Sequence, residues 1–184
     1  MIIGITGTIG AGKGTVVEYL KSKGFAHYSS SGLLNKMLKE RGQFIDRDAQ
    51  ATLAREIRAK DPAGMPKLTY EQMRKDAPKN AILEALHTVG EANFVRNVGG
   101  IILGVDADLK VRYGRISKRG SEKDNVTFEK FVEQAKREDD GTEESGHNIC
   151  GVLKVADAVV YNNGTQEELF EQVEEALRKI QSKK

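Results

Sequence analysis

The residues best suited to chemistry lie in the amino-terminal segment MIIGITGTIGAGKGT, where glycines and one lysine follow a short apolar run. Gly7, Gly12 and Lys13 have the spacing of the phosphate-binding consensus G-x-x-x-x-G-K-[ST]. Glycines let the backbone approach a ligand because they lack a Cβ atom, and the free N–H groups at the start of the following helix attract anions. Lys13 can reach terminal phosphates as a mobile point charge. The segment therefore predicts a cradle for a polyphosphate.

The last position of that consensus departs from the pattern. Gly14 stands where a serine or threonine is expected, and Thr15 follows one residue later. Without a hydroxyl directly after the lysine, we expect Mg²⁺ to be held mainly by phosphate oxygens and water. The alternative interpretation is an ordinary glycine-rich turn between a strand and a helix. The residues predicted to contact the nucleotide are Gly10, Ala11, Gly12, Lys13, Gly14 and Thr15.

The pattern G-x-x-G-x-G-K-G-T is narrower than the general consensus, and it resembles the loop of adenylate kinases and other nucleoside monophosphate kinases. That resemblance implies a three-layer P-loop NTPase fold, ATP with Mg²⁺ as the phosphoryl donor, and a nucleoside monophosphate as the small-molecule acceptor. Phosphoryl transfer depends on position and positive charge. The resemblance assigns that charge to Lys13, Arg119 and Arg137.

Composition limits the classes of protein that fit. The 184 residues suffice for a single α/β domain, residues 1–184, with one core. Lys and Arg number 29 against 27 Asp and Glu, so the charge balance favours neither nucleic acid nor an acidic membrane surface as a partner. Cys150 is the single cysteine, which excludes an internal disulfide. We expect a cytoplasmic protein that is a monomer or a weak oligomer.

Apolar runs and helical periodicity place these residues on alternating strands and helices. Short connections between them predict a five-stranded parallel sheet with helices on both faces. The predicted strands start at Ile2 and cover Phe25 to Ser29, Ala81 to Leu86, Gly99 to Val105 and Val155 to Tyr161. Helices are predicted from about Lys13, within 29–42, from Asp46, Tyr70, Leu109 and Phe128, and after Thr165. Gly64 and Pro66 are predicted to lie in a non-helical segment between the helix from Asp46 and the helix from Tyr70.

The stretch HYSSSGLLNK opens a helix and resembles the start of the acceptor site in adenylate kinases. The resemblance implies that Ser31 and Gly32 contact the acceptor and that Lys36 replaces a phosphate-binding arginine, although lysine lacks the bidentate fork. Residues 30–75 would then form a small acceptor-binding helical insertion, to which Arg55 contributes. The alternatives are helix capping by the serines, a solvated Lys36 and a surface ion pair of Arg55.

Three further residues follow the third predicted strand. Glu84, near its carboxyl end, would face the crevice where open α/β sheets bind ligands, and would hold Mg²⁺ through water. Adenylate kinases have D-G-F-P-R-T in this region, which implies that His87 lies near the acceptor phosphate in place of an arginine. Neutral histidine is a poorer phosphate ligand, so either another cation such as Arg96 serves the site or acceptor turnover is weak. By resemblance Glu91 reads the acceptor base, and the alternative is a solvated first-turn glutamate.

The helix LKVRYGRISKRG puts Arg115 and Arg119 one turn apart on one face. This pattern, R-I-x-x-R, resembles the helix that leads into the adenylate kinase lid, which implies that Arg115 lies against adenine and Arg119 contacts the ATP phosphates. KREDDGTEE resembles the return from the lid and implies that Arg137 reaches the transferred phosphoryl group. A short lid over residues 119–148 would exclude water from the reaction.

The last candidate contacts come from the carboxyl-terminal part of the chain. Two rival functions are also considered. Asn163 and Gly164 resemble the turn that receives adenine, and the alternative is a simple N-G turn before a helix. The pattern A-D-x-V-x-x-N-x-G, with the loop pattern G-x-I-G-x-G-K, also resembles dephospho-coenzyme A kinases, whereas Gly14 argues against them because that family has serine there. A nucleotide-binding regulatory ATPase without an acceptor is the third hypothesis, supported by Leu33 and His87 in place of family residues.

Overall fold

The computed structural model describes residues 1–119, 127–140 and 147–182, apart from the side chains of 47, 119 and 138–140. The predicted lid, 119–148, therefore lies partly outside the described residues. None of the helices in the described ranges is both long and apolar enough to cross a membrane.

Five parallel strands form one sheet, as the sequence predicts. The strands are β1 (Ile2–Gly7), β2 (Ala26–Ser29), β3 (Ala81–Glu84), β4 (Ile101–Asp106) and β5 (Ala158–Tyr161). Their order across the sheet is β2-β3-β1-β4-β5, and every pairing is parallel. The central strands β1 and β4 are buried along nearly their whole length because both of their faces are covered by helices.

Helices cover both faces of this sheet, again as predicted. In the described ranges they are α1 (Lys13–Ser22), α2 (Ser30–Glu40), α3 (Arg47–Lys60), α4 (Gly64–Asp76), α5 (Val89–Asn97), α6 (Leu109–Arg119), α7 (Phe128–Asp140), α8 (Ile149–Lys154) and α9 (Gln166–Gln181). Val16 and Leu20 of α1 and Val173 of α9 pack with Ile3 in one core cluster. On the other face, Val95 of α5 and Val152 of α8 pack with Ile102.

Helices α2, α3 and α4 have a small apolar cluster of their own, which holds the segment after β2 together. Its buried members are Leu34, Leu38, Leu53, Ala54 and Met65. Asp76 of α4 accepts a hydrogen bond of 2.9 Å from the Tyr28 hydroxyl of β2, and burial together with this carboxylate raises the pKa of Tyr28 to about 12. The three helices are thereby fixed against the edge of the sheet.

The starts of α4 and β5 differ most from the sequence prediction. Helix α4 begins at Gly64 instead of Tyr70 and contains Pro66. A proline is compatible with the first helical turn because N–H groups there have no partner within the helix. Strand β5 begins at Ala158 rather than Val155 because the short helix α8, which the sequence did not predict, ends at Lys154. Asn148 caps α8 by accepting from the Gly151 N–H.

Candidate functional site

Residues that follow the carboxyl ends of the strands line two separate cavities. The first, which we call the P-loop cavity, has a volume of about 440 Å³ and is lined by Gly10, Gly12, Lys13, Gly14, Thr15, Glu84, Arg115 and Ile116. The second, which we call the Arg58 cavity, has a volume of about 280 Å³. Open α/β sheets bind their ligands at this edge. Both cavities are therefore where the topology places a functional site.

The P-loop cavity depends on glycines between β1 and α1. Gly10 and Gly12 have φ values of 78° and 98°, a backbone region that is strained for other residues. Gly12 directly precedes α1, and its carbonyl accepts hydrogen bonds from the N–H groups of Thr15 and Val16. A Cβ atom on Gly12 would lie 2.3 Å from Nδ2 of Asn162. The sequence pattern therefore has a direct steric cause.

Lys13 is the cation of this cavity. Its Nζ atom donates to the backbone carbonyls of Gly7 at 2.8 Å and Thr8 at 3.0 Å. The side chain thus folds back over the loop whose N–H groups begin α1. A concentration of positive charge at a helix start, in a cavity with walls of main chain, is suited to phosphate.

Arg115 and Asn162 hold the loop from the side of α6 and β5. Arg115 donates from Nη2 to Oδ1 of Asn162 at 3.0 Å, and Asn162 donates from Nδ2 to the carbonyl of Ala11 at 2.8 Å. The sequence pointed to Asn163 and Gly164 instead. Asn163 is bonded to the backbone and side chain of Asp108. The first asparagine of the pattern A-D-x-V-x-x-N-x-G is Asn162, and this was the signal that could have identified it.

Gly164 serves the next helix. A Cβ atom there would collide with the carboxylate of Glu168, which accepts from the backbone N–H of Thr165. Thr165 in turn accepts from the N–H of Glu168, so the two residues form a capping box at the start of α9. In this structure the turn at Gly164 is therefore occupied by helix capping.

Glu84 ends β3 and faces the P-loop cavity, as the sequence predicted for its position. Its Oε2 atom lies 2.8 Å from Nε2 of His27, which belongs to the neighbouring strand β2. The carboxylate of Glu84 and the hydroxyl of Thr15 are hard oxygen donors that line the same cavity. This donor set fits Mg²⁺, which prefers oxygen ligands and keeps several waters.

Arg119 and Arg137 are the two arginines predicted to reach the phosphates. Helix α6 ends at Arg119, whose side chain lies outside the described residues. Arg137 lies on α7, is exposed, and pairs with Glu133 one turn away. In this structure Arg137 is thus engaged on its own helix.

The Arg58 cavity brings together side chains from distant parts of the chain. Its polar lining consists of Ser30, Ser31, Gln50, Arg55, Arg58, His87 and His147. Ser31, Arg55 and His87 were predicted to bind the acceptor, and they do share this cavity. Gly32 and Lys36 do not, because they line another cavity beside His27 and Asp76. The face of α2 that carries Gly32 and Lys36 is turned toward β2 and α4.

Arg58 is the cation at the base of this cavity, and a buried carboxylate holds it there. Its Nε atom donates to Oε1 of Glu91 at 3.0 Å. Glu91 is 0% exposed, and its Oε2 atom accepts from the backbone N–H of His87 at 2.6 Å. Glu91 is therefore not a solvated first-turn residue, since its carboxylate orients Arg58. Arg58 was visible in the sequence only as one of three arginines on α3.

Arg96 was the other cation considered for the acceptor side. Its guanidinium pairs with Asp157 at 3.0 Å, and Asp157 also accepts from the backbone N–H of Ile102 near the start of β4. This places Arg96 at the amino ends of the strands, whereas both cavities lie at their carboxyl ends. Arg58 takes the position that was expected for Arg96.

His87 and His147 form a stacked pair on the wall of the Arg58 cavity. Their ring centroids lie 4.4 Å apart at an interplanar angle of 17°. Burial holds the pKa of His87 well below its usual 6.5, and the nearby charges of His147, Arg58 and Lys13 lower it further. The His87 ring is therefore neutral at pH 7.

A parallel sheet of this order, with a glycine loop and lysine after its central strand, defines a P-loop domain of the kinase type. The model of the AAA domain family matches residues 3–140. A UPF0200 protein of Sulfurisphaera tokodaii is 30% identical over 184 residues, covering 97% of each chain. The chain therefore belongs to the UPF0200 proteins, within the P-loop AAA domain family.

Solved kinase structures have the same fold. The dephospho-CoA kinase of Campylobacter jejuni aligns with a TM-score of 0.58 and 19% identity, over 97% of this chain and 96% of that one. A shikimate kinase of Acinetobacter baumannii in complex with shikimate aligns with a TM-score of 0.59 and 16% identity, over 100% of this chain and 94% of that one. At such identities the likeness concerns the fold.

Proposed function

We propose that this protein is a kinase that transfers the γ-phosphoryl group of ATP to a small acceptor carrying an anionic group. One observation carries the proposal. Glu84 ends β3 and lines the P-loop cavity, and His87, three residues further along the chain, lines the Arg58 cavity. A cavity with Lys13, suited to the donor phosphates, and a cavity with Arg58, suited to the acceptor, are therefore joined by one short segment after β3. That arrangement supports direct transfer between two bound ligands.

On the donor side, Lys13 and the N–H groups at the start of α1 would hold the β- and γ-phosphates. Glu84 and Thr15 would hold Mg²⁺, which neutralises phosphate charge when bound. Arg115, fixed by Asn162, would lie against adenine as the family resemblance implies. Arg119 and Arg137 remain proposals for the lid, where they would add positive charge at the transferred group.

On the acceptor side, Arg58 is the principal binding residue. The Nε atom of Arg58 donates to Glu91, which leaves the two Nη groups of Arg58 as a fork for a phosphate or carboxylate. Arg55 adds charge at the rim, while Ser31 and Gln50 offer hydrogen bonds. A nucleoside monophosphate carries the required anion, as does dephospho-coenzyme A. The volume of about 280 Å³ lies at the small end of ligand cavities and favours a compact acceptor.

The group of the acceptor that receives the phosphoryl group is either a phosphate or a hydroxyl. Nucleoside monophosphate kinases react at a phosphate, which the adenylate kinase pattern grips with an arginine. Here that position holds His87, which the low pKa keeps neutral. This favours the second candidate, phosphorylation of an acceptor hydroxyl, the reaction type of dephospho-coenzyme A kinases. An ATPase without an acceptor remains the alternative from another class.

An acceptor panel tests the proposal. Purified protein with ATP and Mg²⁺ would be offered nucleoside monophosphates, their deoxy forms, dephospho-coenzyme A and shikimate, and ADP release compared with an acceptor-free blank. Lys13→Ala should lower kcat by about 10²–10³-fold, as expected when a preorganised charge is removed. Lys21→Ala is the matched control, because Lys21 is exposed on the same helix and pairs with Glu18.

The outcomes separate a kinase from a regulatory ATPase, and the acceptor that stimulates ADP release identifies the kind of kinase. Stimulation by one acceptor, lost in Lys13→Ala and kept in Lys21→Ala, would support the kinase. ADP release that no acceptor increases would instead support the regulatory ATPase. No ADP release and no ATP binding would overturn the proposal altogether.

A further inference from the structure

We propose that His87 is the general base of the transfer, taking the proton from an acceptor hydroxyl, so that the acceptor reacts as an alcohol. The inference rests on the proposed kinase function and narrows its substrate class. A phosphate acceptor is already ionised at neutral pH and needs no base, whereas a hydroxyl gains from one. The residue type at position 87 therefore bears on which of the two acceptors reacts.

The backbone around His87 is held on three sides. Its N–H donates to Glu91 at 2.6 Å, and its carbonyl accepts from the N–H of Asn148 at 2.8 Å. The carbonyl of the preceding Leu86 accepts from the Thr6 hydroxyl of β1 at 2.8 Å. A strand and two helix starts thus fix the residue at the junction of the sheet edge with the Arg58 cavity. A base has to be positioned in this way before its pKa matters.

The ring itself is available to a ligand. It contacts His147 by stacking, and within the described part of the chain no residue forms a hydrogen bond with its nitrogens. It lines the same cavity as Arg58, whose Nη groups would bind the acceptor's anionic group. An acceptor anchored by Arg58 would therefore present its other groups to the imidazole.

Three groups among the described residues lower the pKa of the His87 ring, and one nearby carboxylate has the opposite charge. Lys13 of α1, Arg58 of α3 and His147 before α8 all lower the pKa of His87. Glu91 of α5 is negatively charged, but its two carboxylate oxygens accept hydrogen bonds from Arg58 and from the His87 backbone N–H. The imidazole is therefore unprotonated at neutral pH, and its nitrogen lone pair can accept a proton, as the general-base role requires.

The step balances without a further reagent. The acceptor O–H bond breaks and its proton moves to an imidazole nitrogen of His87. The oxygen lone pair forms a bond to the γ-phosphorus of ATP, and the bond from that phosphorus to the bridging oxygen breaks. ADP leaves with that electron pair, and the imidazolium returns its proton to solvent. No oxidation or reduction occurs.

The test compares His87→Asn and His87→Gln with the wild type, using whichever panel acceptor stimulates ADP release. Both variants should lower kcat by about 10²–10⁴-fold, the usual contribution of a general base, while KM for ATP stays unchanged. The wild-type kcat should fall at acid pH with an apparent pKa below 6.5, and that limb should vanish in both variants. A stability role alone would not remove a pH limb.

His147→Asn is the matched variant in the same cavity. It leaves the base in place and removes one charge that lowers the pKa of His87, so the acid limb should remain and move to higher pH. Thermal melting of all variants checks folding. Should both His87 variants fail to fold, the wild-type profile decides, because a kcat with no acid limb below 6.5 overturns the proposal.

Two results distinguish this inference from the proposed function. Transfer to a hydroxyl that survives His87→Asn with its acid limb intact would overturn the base and leave the kinase standing. Transfer only to nucleoside monophosphates at the phosphate group would do the same. Absence of transfer to every acceptor by the wild type would instead remove the kinase, and the base with it.

Discussion

The P-loop cavity and the Arg58 cavity lie at the same edge of the sheet, yet they are made in different ways. Most of the residues that line the P-loop cavity come from one short segment, between Gly10 and Thr15. The Arg58 cavity consists of side chains from α2, α3, α4 and the segments before α5 and α8. A local sequence pattern can therefore specify the first, whereas only tertiary packing assembles the second.

The two cavities also carry different energetic costs. The P-loop cavity holds glycines in a backbone conformation that costs other residues about 1–2 kcal/mol. The Arg58 cavity contains a buried ion pair, in which Glu91 is 0% exposed and Arg58 is 14% exposed. Removing charges from water is costly, and such a pair is tolerated when its hydrogen bonds are complete. Glu91 meets that condition by accepting from both Arg58 and His87.

The largest effect is expected when this ion pair is broken. Arg58→Ala should lower the free energy of unfolding by about 3–5 kcal/mol, because Glu91 is left as a buried charge without its partner. Arg55→Ala is the control from the same helix, since Arg55 is exposed and donates from Nε to Ala51 of its own helix. It should change the free energy of unfolding by less than about 0.5 kcal/mol. Urea unfolding measures both.

Equal stability of the two variants would break the contrast between the cavities. It would mean that Glu91 remains solvated enough to lose its partner at no cost. In that case the acceptor side would not depend on a desolvated pair. The acceptor KM of Arg58→Ala, compared with that of the wild type, then tells whether the Arg58 side chain contributes to acceptor binding.

Much of the fold could be predicted because its signals are local. The run from Gly99 to Val105 is apolar throughout, as a strand covered on both faces has to be, and it became β4. Thr165 and Glu168 have the spacing of a capping box, and α9 begins there. Helix α8 could not be predicted from the sequence because its six residues are too few to show a helical period.

The acceptor side could be predicted only in part, for a physical reason. Ser31 and His87 were singled out by resemblance, and they do meet in one cavity. Whether Glu91 is solvated, and which arginine it orients, depends on α3 packing against α5 across 33 residues of sequence separation. No periodicity or motif encodes such a pairing. Asn162 differs, because the pattern A-D-x-V-x-x-N-x-G marks the residue in the sequence, although its place beside Gly12 appears only in the fold.

The glycines of the P-loop provide a second, smaller test. Gly12→Ala combines an unfavourable φ of 98° with a Cβ atom 2.3 Å from Asn162, so it should cost at least about 1–2 kcal/mol in the free energy of unfolding. Gly14→Ala is the matched control, because the residue is helical and, apart from its chain neighbours and the backbone of its own helix, no heavy atom lies within 4 Å of the position that an alanine methyl group would take. It should be neutral or stabilising by up to about 1 kcal/mol.

ATP affinity, measured on the same two variants, sharpens this comparison. Gly14 lines the P-loop cavity, so Gly14→Ala can weaken nucleotide binding while leaving the fold intact. A protein as stable as the wild type but with reduced ATP affinity would indicate that the phosphates approach the main chain at Gly14. Undiminished stability in Gly12→Ala would contradict the steric account of the loop.

The smallest effect is the pH dependence that the Arg58 cavity gives to stability. Burial lowers the pKa of His87 in the folded protein below the 6.5 expected when unfolded, so below about pH 6.5 the unfolded chain binds more protons. Stability is therefore complete above that pH and declines as the pH falls toward the folded pKa. One such histidine contributes a slope of at most about 1.4 kcal/mol per pH unit. Urea unfolding between about pH 5.5 and 7.5 should show a slope that His87→Gln reduces, and an unchanged slope would place the imidazole in water.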